Sequence, residues 1–188
     1  LSPEEMIAKL KMLATVKKVF QLFGFDPLDT ATAHFKDVLF GADENADMDY
    51  FRMDNSRGKS TSKATALRFD LTVSLMRYIA ANLDSVPRPF KRWQEGKVFR
   101  GEEPREGRFC EFTQLDADIL FSADMTADAE IVDVIYNSML ALGLERFVIN
   151  INNRKLINGL PEYAGFDPEY FKLVVRILDK IDKIGVYG

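Results

Sequence analysis

KRWQEGKVFRGEEPREGRFCEFTQLDADIL, residues 91–120, reads as two strands joined by a charged loop. Side chains alternate across a strand. Leu115, Ala117 and Ile119 therefore share one face of the second strand, and Phe112, Gln114, Asp116 and Asp118 share the other. The first face is oily and suits a core. The second carries an aromatic ring, an amide and two carboxylates, a set that costs stability in a sheet unless its polar groups meet a partner.

Working outward, the chain alternates helices with short strands. Ser2-Pro3-Glu4-Glu5 starts a helix, with a capping serine, proline in the first turn and acids beside the amino end. Met6, Leu10, Leu13, Val16 or Lys17, Phe20 and Phe23 follow at helical spacing until Gly24 stops it. Phe25 through Asp29 reads as a short strand, bent or at an edge because of Pro27. A brief helix is predicted over residues 33–39 and an acidic loop over 42–48. Residues 49–53 and 64–68 form a predicted hairpin around the polar loop 54–63.

A helix is predicted over 72–83, with Val73, Met76 or Arg77, Ile79 and Ala80 inward. Pro87 and Pro89 break the chain before the central hairpin. Residues 126–142 read as a second long helix, capped by Thr126, burying Ile131, Ile135 and Met139, and ended by Gly143. Residues 146–152 alternate as a strand, Asn153 caps a short helix to about Leu160, and Asp167-Pro168-Glu169 opens a last helix to about Ile184. Helices interleaved with hairpins favour an α+β domain, an antiparallel sheet flanked by helices, over a doubly wound parallel sheet.

Composition narrows the function. The net charge of −4 gives no global basic field for nucleic acid, so an RNA partner would need a local patch. One cysteine and one histidine exclude a disulfide framework, argue against a structural zinc site, and fit a reducing cytoplasm. No apolar run is long enough to span a membrane and no signal peptide is visible. The start at Leu1 and the Val-Tyr-Gly end read as a piece of a longer product.

The chemistry concentrates on the hairpin. Arg100 and Glu102 end its first strand, Arg108 lies on the loop, and Phe112, Gln114, Asp116 and Asp118 line the second strand. Arginine offers a rigid fork to phosphate or carboxylate oxygens. A ring at a strand edge can stack on a base, and an amide with a carboxylate can hold an amine. On spacing alone, a solvated hairpin laced with ion pairs remains the competing reading.

Phe99-Arg100-Gly101-Glu102, then Arg108 and Phe112, resembles motif 2 of the class II aminoacyl-tRNA synthetases. The longer text FRGEEPREGRFCEFTQLDAD, with LRFDLTVSLMRYIA at 67–80, LFGFDPLDT at 22–30 and LDKIDKIG at 178–185, is similar to the histidyl-tRNA synthetase family. The resemblance implies a partial class II catalytic core over residues 1–188, with motif 1 at about 10–31 and motif 2 at about 90–120. It implies that Arg100 contacts the α-phosphate of ATP and the amino-acid carboxylate, Arg108 the outer phosphates, Phe112 the adenine face and Glu102 its amino edge. Asp70, Thr72 and Gln114 would bind the α-ammonium of L-histidine, and Asp118 would accept the imidazole N–H. ATP is then a substrate, accompanied by Mg2+, and tRNA(His) the acceptor. No metal site within the protein is implied. A cytoplasmic homodimer is the expected form.

The chain departs from that pattern in places. Ala31 stands where motif 1 of the family ends its strand with proline. Motif 3, the histidine-specific segment and the anticodon-binding domain are absent, so the isolated chain is expected to be inactive or very weak. A histidine-sensing regulatory subunit of ATP phosphoribosyltransferase resembles the same core and is the alternative, and a dimerisation module is a third. The sensor need not keep the ATP arginines, whereas Arg100, Glu102, Arg108 and Phe112 are all present.

Several features read as ordinary structure. Gly58-Lys59-Ser60 lacks the glycine a P-loop needs, Met53 standing there instead. His34 reads as structural or exposed, Trp93 as core or interface, and Asp179, Lys180, Asp182 and Lys183 as surface ion pairs. Cys110 has no histidine neighbour in sequence to activate it. Asp116 shares the ligand-side face, and whether it touches ligand or metal stays open.

Overall fold

The computed structural model describes residues 1–35, 38–39, 50–53, 64–101 and 103–178. Expectations for residues 42–48, the loop 54–63 and the helix beyond Leu178 lie outside the described residues. The chain divides into two compact units, Leu1–Arg146 and Phe147–Gly188.

In the first unit, α1 (Pro3–Leu22) is closed at its start by a capping box. Ser2 Oγ accepts from Glu5 N at 3.2 Å, and the Glu5 carboxylate accepts from Ser2 N at 2.7 Å. Only the second half of its stripe reaches the core: Leu13, Val19 and Phe20 are buried, while Met6 and Leu10 are exposed. Gly24 ends the helix at φ +77°, a left-handed conformation glycine adopts without strain.

β1 (Asp26–Pro27) then pairs in parallel with the first long strand, Asp26 opposite Arg92. This parallel edge is a departure from the all-antiparallel sheet expected. β2 (Ala33–Phe35), β3 (Arg52–Met53) and β4 (Thr65–Leu67) make a separate antiparallel sheet in the order β2-β4-β3. The helix expected over 33–39 is instead a strand at 33–35, while Val38 and Leu39, the other described residues of that range, are helical. The register of β2 with β4, Ala33 opposite Leu67 and Phe35 opposite Thr65, is a distant pairing that overrides the local pattern. β3 and β4 do pair as the predicted hairpin.

α2 (Thr72–Ala81) buries Ser74, Leu75 and Ile79 and leaves Met76 exposed, so its inner face is rotated from the expected one. β5 (Phe90–Phe99) and β6 (Glu111–Leu120) form the long central hairpin, ten paired residues on each strand. α3 (Met125–Ala141) is capped by Asp124, whose Oδ1 accepts from Thr126 N at 2.9 Å. The cap is thus Asp124 and not Thr126, and the helix buries Val134 and Ser138 while Ile135 is exposed.

The main core forms where Phe20, Phe25 and Val134 meet Trp93, Leu115, Ala117, Ile119 and Ile131. The oily face of β6 packs as its alternation dictates, against α1 and α3, and Trp93 is part of this core. A second cluster joins Leu75, Ile79, Val86 and Phe90, with Leu28, Tyr78 and Leu120 against it. Phe90 lies on the opposite face of β5 from Trp93, so α2 covers one end of the polar face.

The second unit contains α4 (Arg154–Asn158), α5 (Leu160–Ala164), a 3-10 turn at Pro168–Tyr170 and α6 (Phe171–Leu178). Asn153 caps α4 as expected, its Oδ1 accepting from Lys155 N at 2.9 Å. Residues 146–152 form no strand; among the described residues no neighbouring strand takes up their backbone groups, and Val148 and Ile151 are exposed.

Candidate active site

The register of the central hairpin builds the site. Phe112 lies opposite Val98, Gln114 opposite Gly96, Asp116 opposite Gln94 and Asp118 opposite Arg92. Directly opposed residues share a face, so the polar side of β6 is continued across β5 by Arg92, Gln94 and Gly96. This face is partly roofed. Arg92, Gln94 and Val98 are fully buried. Arg68, arriving from the residue after β4, lays its guanidinium over Gly96. Its Nε donates to Lys97 O at 2.7 Å and its Nη1 to Thr30 O at 2.8 Å. Gln94 Nε2 donates to Thr30 Oγ1 at 3.0 Å and Asp29 Oδ1 at 3.2 Å. The segment 29–31 is thereby tied to the strand.

At the open end of the hairpin, Arg100 N donates to Cys110 O at 2.8 Å, and Arg105 and Arg108 bridge across a turn in which Gly107 has φ +74°. The Arg100 guanidinium sits between two rings, 4.5 Å from the centre of Phe69 and 5.0 Å from that of Phe112. Its Nε also donates to Phe69 O at 3.5 Å. A cation over a ring face is attracted by the ring quadrupole. Arg100, Glu103, Gly107, Arg108, Phe109 and Phe112 line a cavity of about 440 Å³, within the usual range for a small-ligand pocket. Three residues singled out by sequence, Arg100, Arg108 and Phe112, are brought to one opening. Glu102 lies outside the described residues.

Further along β6 the face becomes acidic. Gln114 Nε2 donates to Asp116 Oδ2 at 2.8 Å, and Gln114 Oε1 is buried without a hydrogen-bond partner. Asp118 Oδ2 lies 2.6 Å from Arg92 Nη2, a close ion pair without an aligned N–H···O hydrogen bond. Burial pushes the Asp116 and Asp118 carboxyls above the ordinary carboxylate range, and Arg92 pulls both back. Burial likewise lowers the Arg92 guanidinium, against the attraction of Asp118, Asp116 and Asp70. Asp70 itself accepts from Val73 N at 3.1 Å through Oδ1, fixing it at the start of α2, and Thr72 is exposed on the first turn. Asp118 thus contacts this guanidinium and Asp116 and Asp70 attract it electrostatically, and the local excess of negative charge suits a cationic group.

Sequence reasoning missed Arg92, Arg68 and Phe69. The first was legible in principle: Arg92, Gln94 and Gly96 alternate in the first strand as Gln114, Asp116 and Asp118 do in the second. Only the register sets Arg92 against Asp118. Arg68 and Phe69 precede Asp70 in the chain, but nothing local says that they fold over the hairpin. His34 Nε2 lies 2.8 Å from both Ala31 O and Ser74 Oγ, a structural arrangement. Cys110 is half-buried and not in a disulfide. No helix among the described residues is long and apolar enough to cross a membrane.

Comparison with known proteins identifies the family of the chain. The family model described as histidyl-tRNA synthetase matches residues 1–187. The histidine–tRNA ligase of Wolinella succinogenes is 44% identical over 185 residues, covering 97% of this chain and 40% of that protein. The crystal structure of histidyl-tRNA synthetase from Nostoc sp. PCC 7120 superposes with a TM-score of 0.80 at 31% identity, over 96% of this chain and 39% of that one. An ATP phosphoribosyltransferase regulatory subunit/histidyl-tRNA synthetase from Bacillus halodurans also superposes at TM-score 0.80, over 97% of this chain and 46% of that one. Its identity is 21%, and that likeness speaks to the fold alone. The chain spans about 40% of the length of the curated relatives it matches.

Proposed function

The chain belongs to the histidyl-tRNA synthetase family and has its class II α+β core, and we propose that it carries the motif 1 and motif 2 part of a catalytic domain, residues 1–188, that activates histidine with ATP. The observation that carries this reading is the convergence of Arg100, Arg108 and Phe112 on one cavity, on the same strand face as an acid-rich cluster.

In this reading adenine stacks on Phe112, with Glu102 near its amino edge. Arg108 holds the outer phosphates, and Mg2+ enters with the triphosphate as part of the substrate. Asp70, Thr72 and Gln114 receive the α-ammonium of histidine, and the unpartnered Gln114 Oε1 is a ready acceptor for it. Asp118 accepts the imidazole N–H, which penalises side chains lacking that donor because the carboxylate would stay unpaired. A carboxylate oxygen of histidine attacks the α-phosphorus, the bond to pyrophosphate breaks, and histidyl-adenylate forms. Negative charge grows on the α-phosphoryl oxygens as this happens. The Arg100 guanidinium, already held between two rings, stabilises that charge without reorganising. A ribose hydroxyl of tRNA(His) then attacks the histidyl carbonyl and releases AMP.

The whole enzyme acts as a cytoplasmic homodimer, and residues 1–188 alone are inactive or very weak. The test is histidine-dependent exchange of labelled pyrophosphate into ATP by the gene's full-length product. Exchange is expected. Histidine binding by calorimetry without ATP binding or exchange would instead mark the sensing subunit, and the clustering of both phosphate-type arginines with the ring favours the ligase.

A further inference from the structure

We propose that Arg92 is a positioning residue for the amino-acid side chain: it holds the inner oxygen of Asp118 so that the outer oxygen is presented to the substrate's ring N–H. The inference rests on the reading of Asp118 as the imidazole acceptor. It adds a residue on the neighbouring strand that does not itself touch the substrate.

The two oxygens of Asp118 have different surroundings. Oδ2 is sealed from solvent and lies 2.6 Å from Arg92 Nη2. The Asp118 side chain as a whole is nonetheless 34% exposed, so its exposure belongs to the outer part of the carboxylate. Arg92 is 0% exposed and has no other ion pair in the described residues. Its Nε, Nη1 and Nη2 are sealed and make no aligned hydrogen bond. A buried guanidinium so poorly served is a poor stabilising device. Its location explains it better: the ladder sets it directly opposite Asp118. There it turns a two-faced acceptor into one with a single free edge. Gln114 secures Asp116 from the same strand, so Asp118 is the carboxylate of the pair that leans on β5.

The test uses the full-length product and reads KM for histidine, KM for ATP and the preference for histidine over thienylalanine, whose ring lacks the N–H. Arg92→Gln is expected to raise KM for histidine at least tenfold, to leave KM for ATP within twofold, and to erode the preference over thienylalanine. Arg92→Lys, which keeps the cation, is expected to recover part of the loss. Equal effects on histidine and ATP, or an unchanged ring preference, would mean a merely structural arginine and overturn the proposal.

Arg92→Gln leaves the sealed Oδ2 of Asp118 without its cation and can compromise folding, so the double variant Arg92→Gln/Asp118→Asn is compared with Asp118→Asn. If Arg92 acts through Asp118, the two have the same KM for histidine within twofold. A further tenfold loss in the double variant refutes the idea. Absence of any histidine-dependent exchange in the unaltered protein would instead defeat the underlying reading of the site, a distinct outcome.

Discussion

Replacing Gly96 by alanine should destabilise the fold through one identifiable collision. Glycine inside a strand is ordinarily a weakness, and alanine there is expected to help by a few tenths of a kcal/mol or more. Here the sign reverses. A Cβ on Gly96 would lie 2.3 Å from Arg68 Nη2, 3.1 Å from Arg68 Cζ and 3.0 Å from Leu71 Cδ2. A guanidinium tip usually swings aside, but Arg68 is 3% exposed and its head is fixed by the carbonyls of Lys97 and Thr30. Moving it breaks at least one charge-assisted hydrogen bond, worth about 1.5–3 kcal/mol. Keeping it in place overpacks the site at about 1–3 kcal/mol. These are alternatives, so the cheaper one sets the expected loss at about 1–3 kcal/mol. For a chain of this size that corresponds to about 2–12 °C in Tm. Thermal unfolding followed by circular dichroism measures it. Arg68→Ala supplies the control, because Gly96→Ala should cost little more once the guanidinium is gone. Strict additivity of the two substitutions, or a Gly96→Ala protein melting with the wild type, would refute the collision.

The other predictions concern the site. Arg100→Gln should lower the rate of pyrophosphate exchange by about 10²–10³ while changing KM for histidine and ATP far less, since its main work is on charge that develops in the transition state; steady-state exchange kinetics decide it. Phe112→Ala should raise KM for ATP about 5–100-fold, the range expected from losing one base stack, and leave KM for histidine near wild type. Asp116→Asn should melt higher than wild type at neutral pH by about 2–4 °C, the shift that ~1 kcal/mol gives in a chain of this size. The sign follows from burial, which raises the folded-state value of Asp116 above its unfolded one. The charged form therefore penalises the native state at neutral pH, and the penalty fades as pH falls through the raised value. The gap between the two melting curves should close as pH approaches the ordinary carboxylate range near about 4.

The strand face of β6 could be read directly because its period of two is local and strong: Leu115, Ala117 and Ile119 pack on the core and the polar set points away from it. The amino end of α1 was equally legible, since the serine, proline and glutamate of a capping box are adjacent in sequence. What failed was what depends on distant partners. Residues 33–35 became a strand because β4 offers them a ladder thirty or so positions later. Residues 146–152 alternate well but have no ladder to join among the described residues. On α2 and α3 the apolar residues were found but the buried stripe was misphased, because Ser74 and Ser138 occupy buried positions that a hydrophobic pattern does not credit. In the site, Phe112 and Arg100 were recognisable from a short contiguous text. Arg92 and Arg68 were not, because a lone arginine on a strand or a loop looks solvated until register and overlay put it inside.

The uninterrupted pairing of β5 with β6 also fixes a length. Phe112 and Asp118 are six residues apart on one continuous strand, which at the rise of an extended chain separates them by about 20 Å. That interval is set between backbone positions, and the strand has no joint between them with which to change it. Inserting or deleting one residue anywhere in that stretch would do more than alter the interval. It would turn every group beyond the change to the opposite side, sending Asp118 into the oil beside Phe20 and Val134 and bringing Ile119 into the cleft.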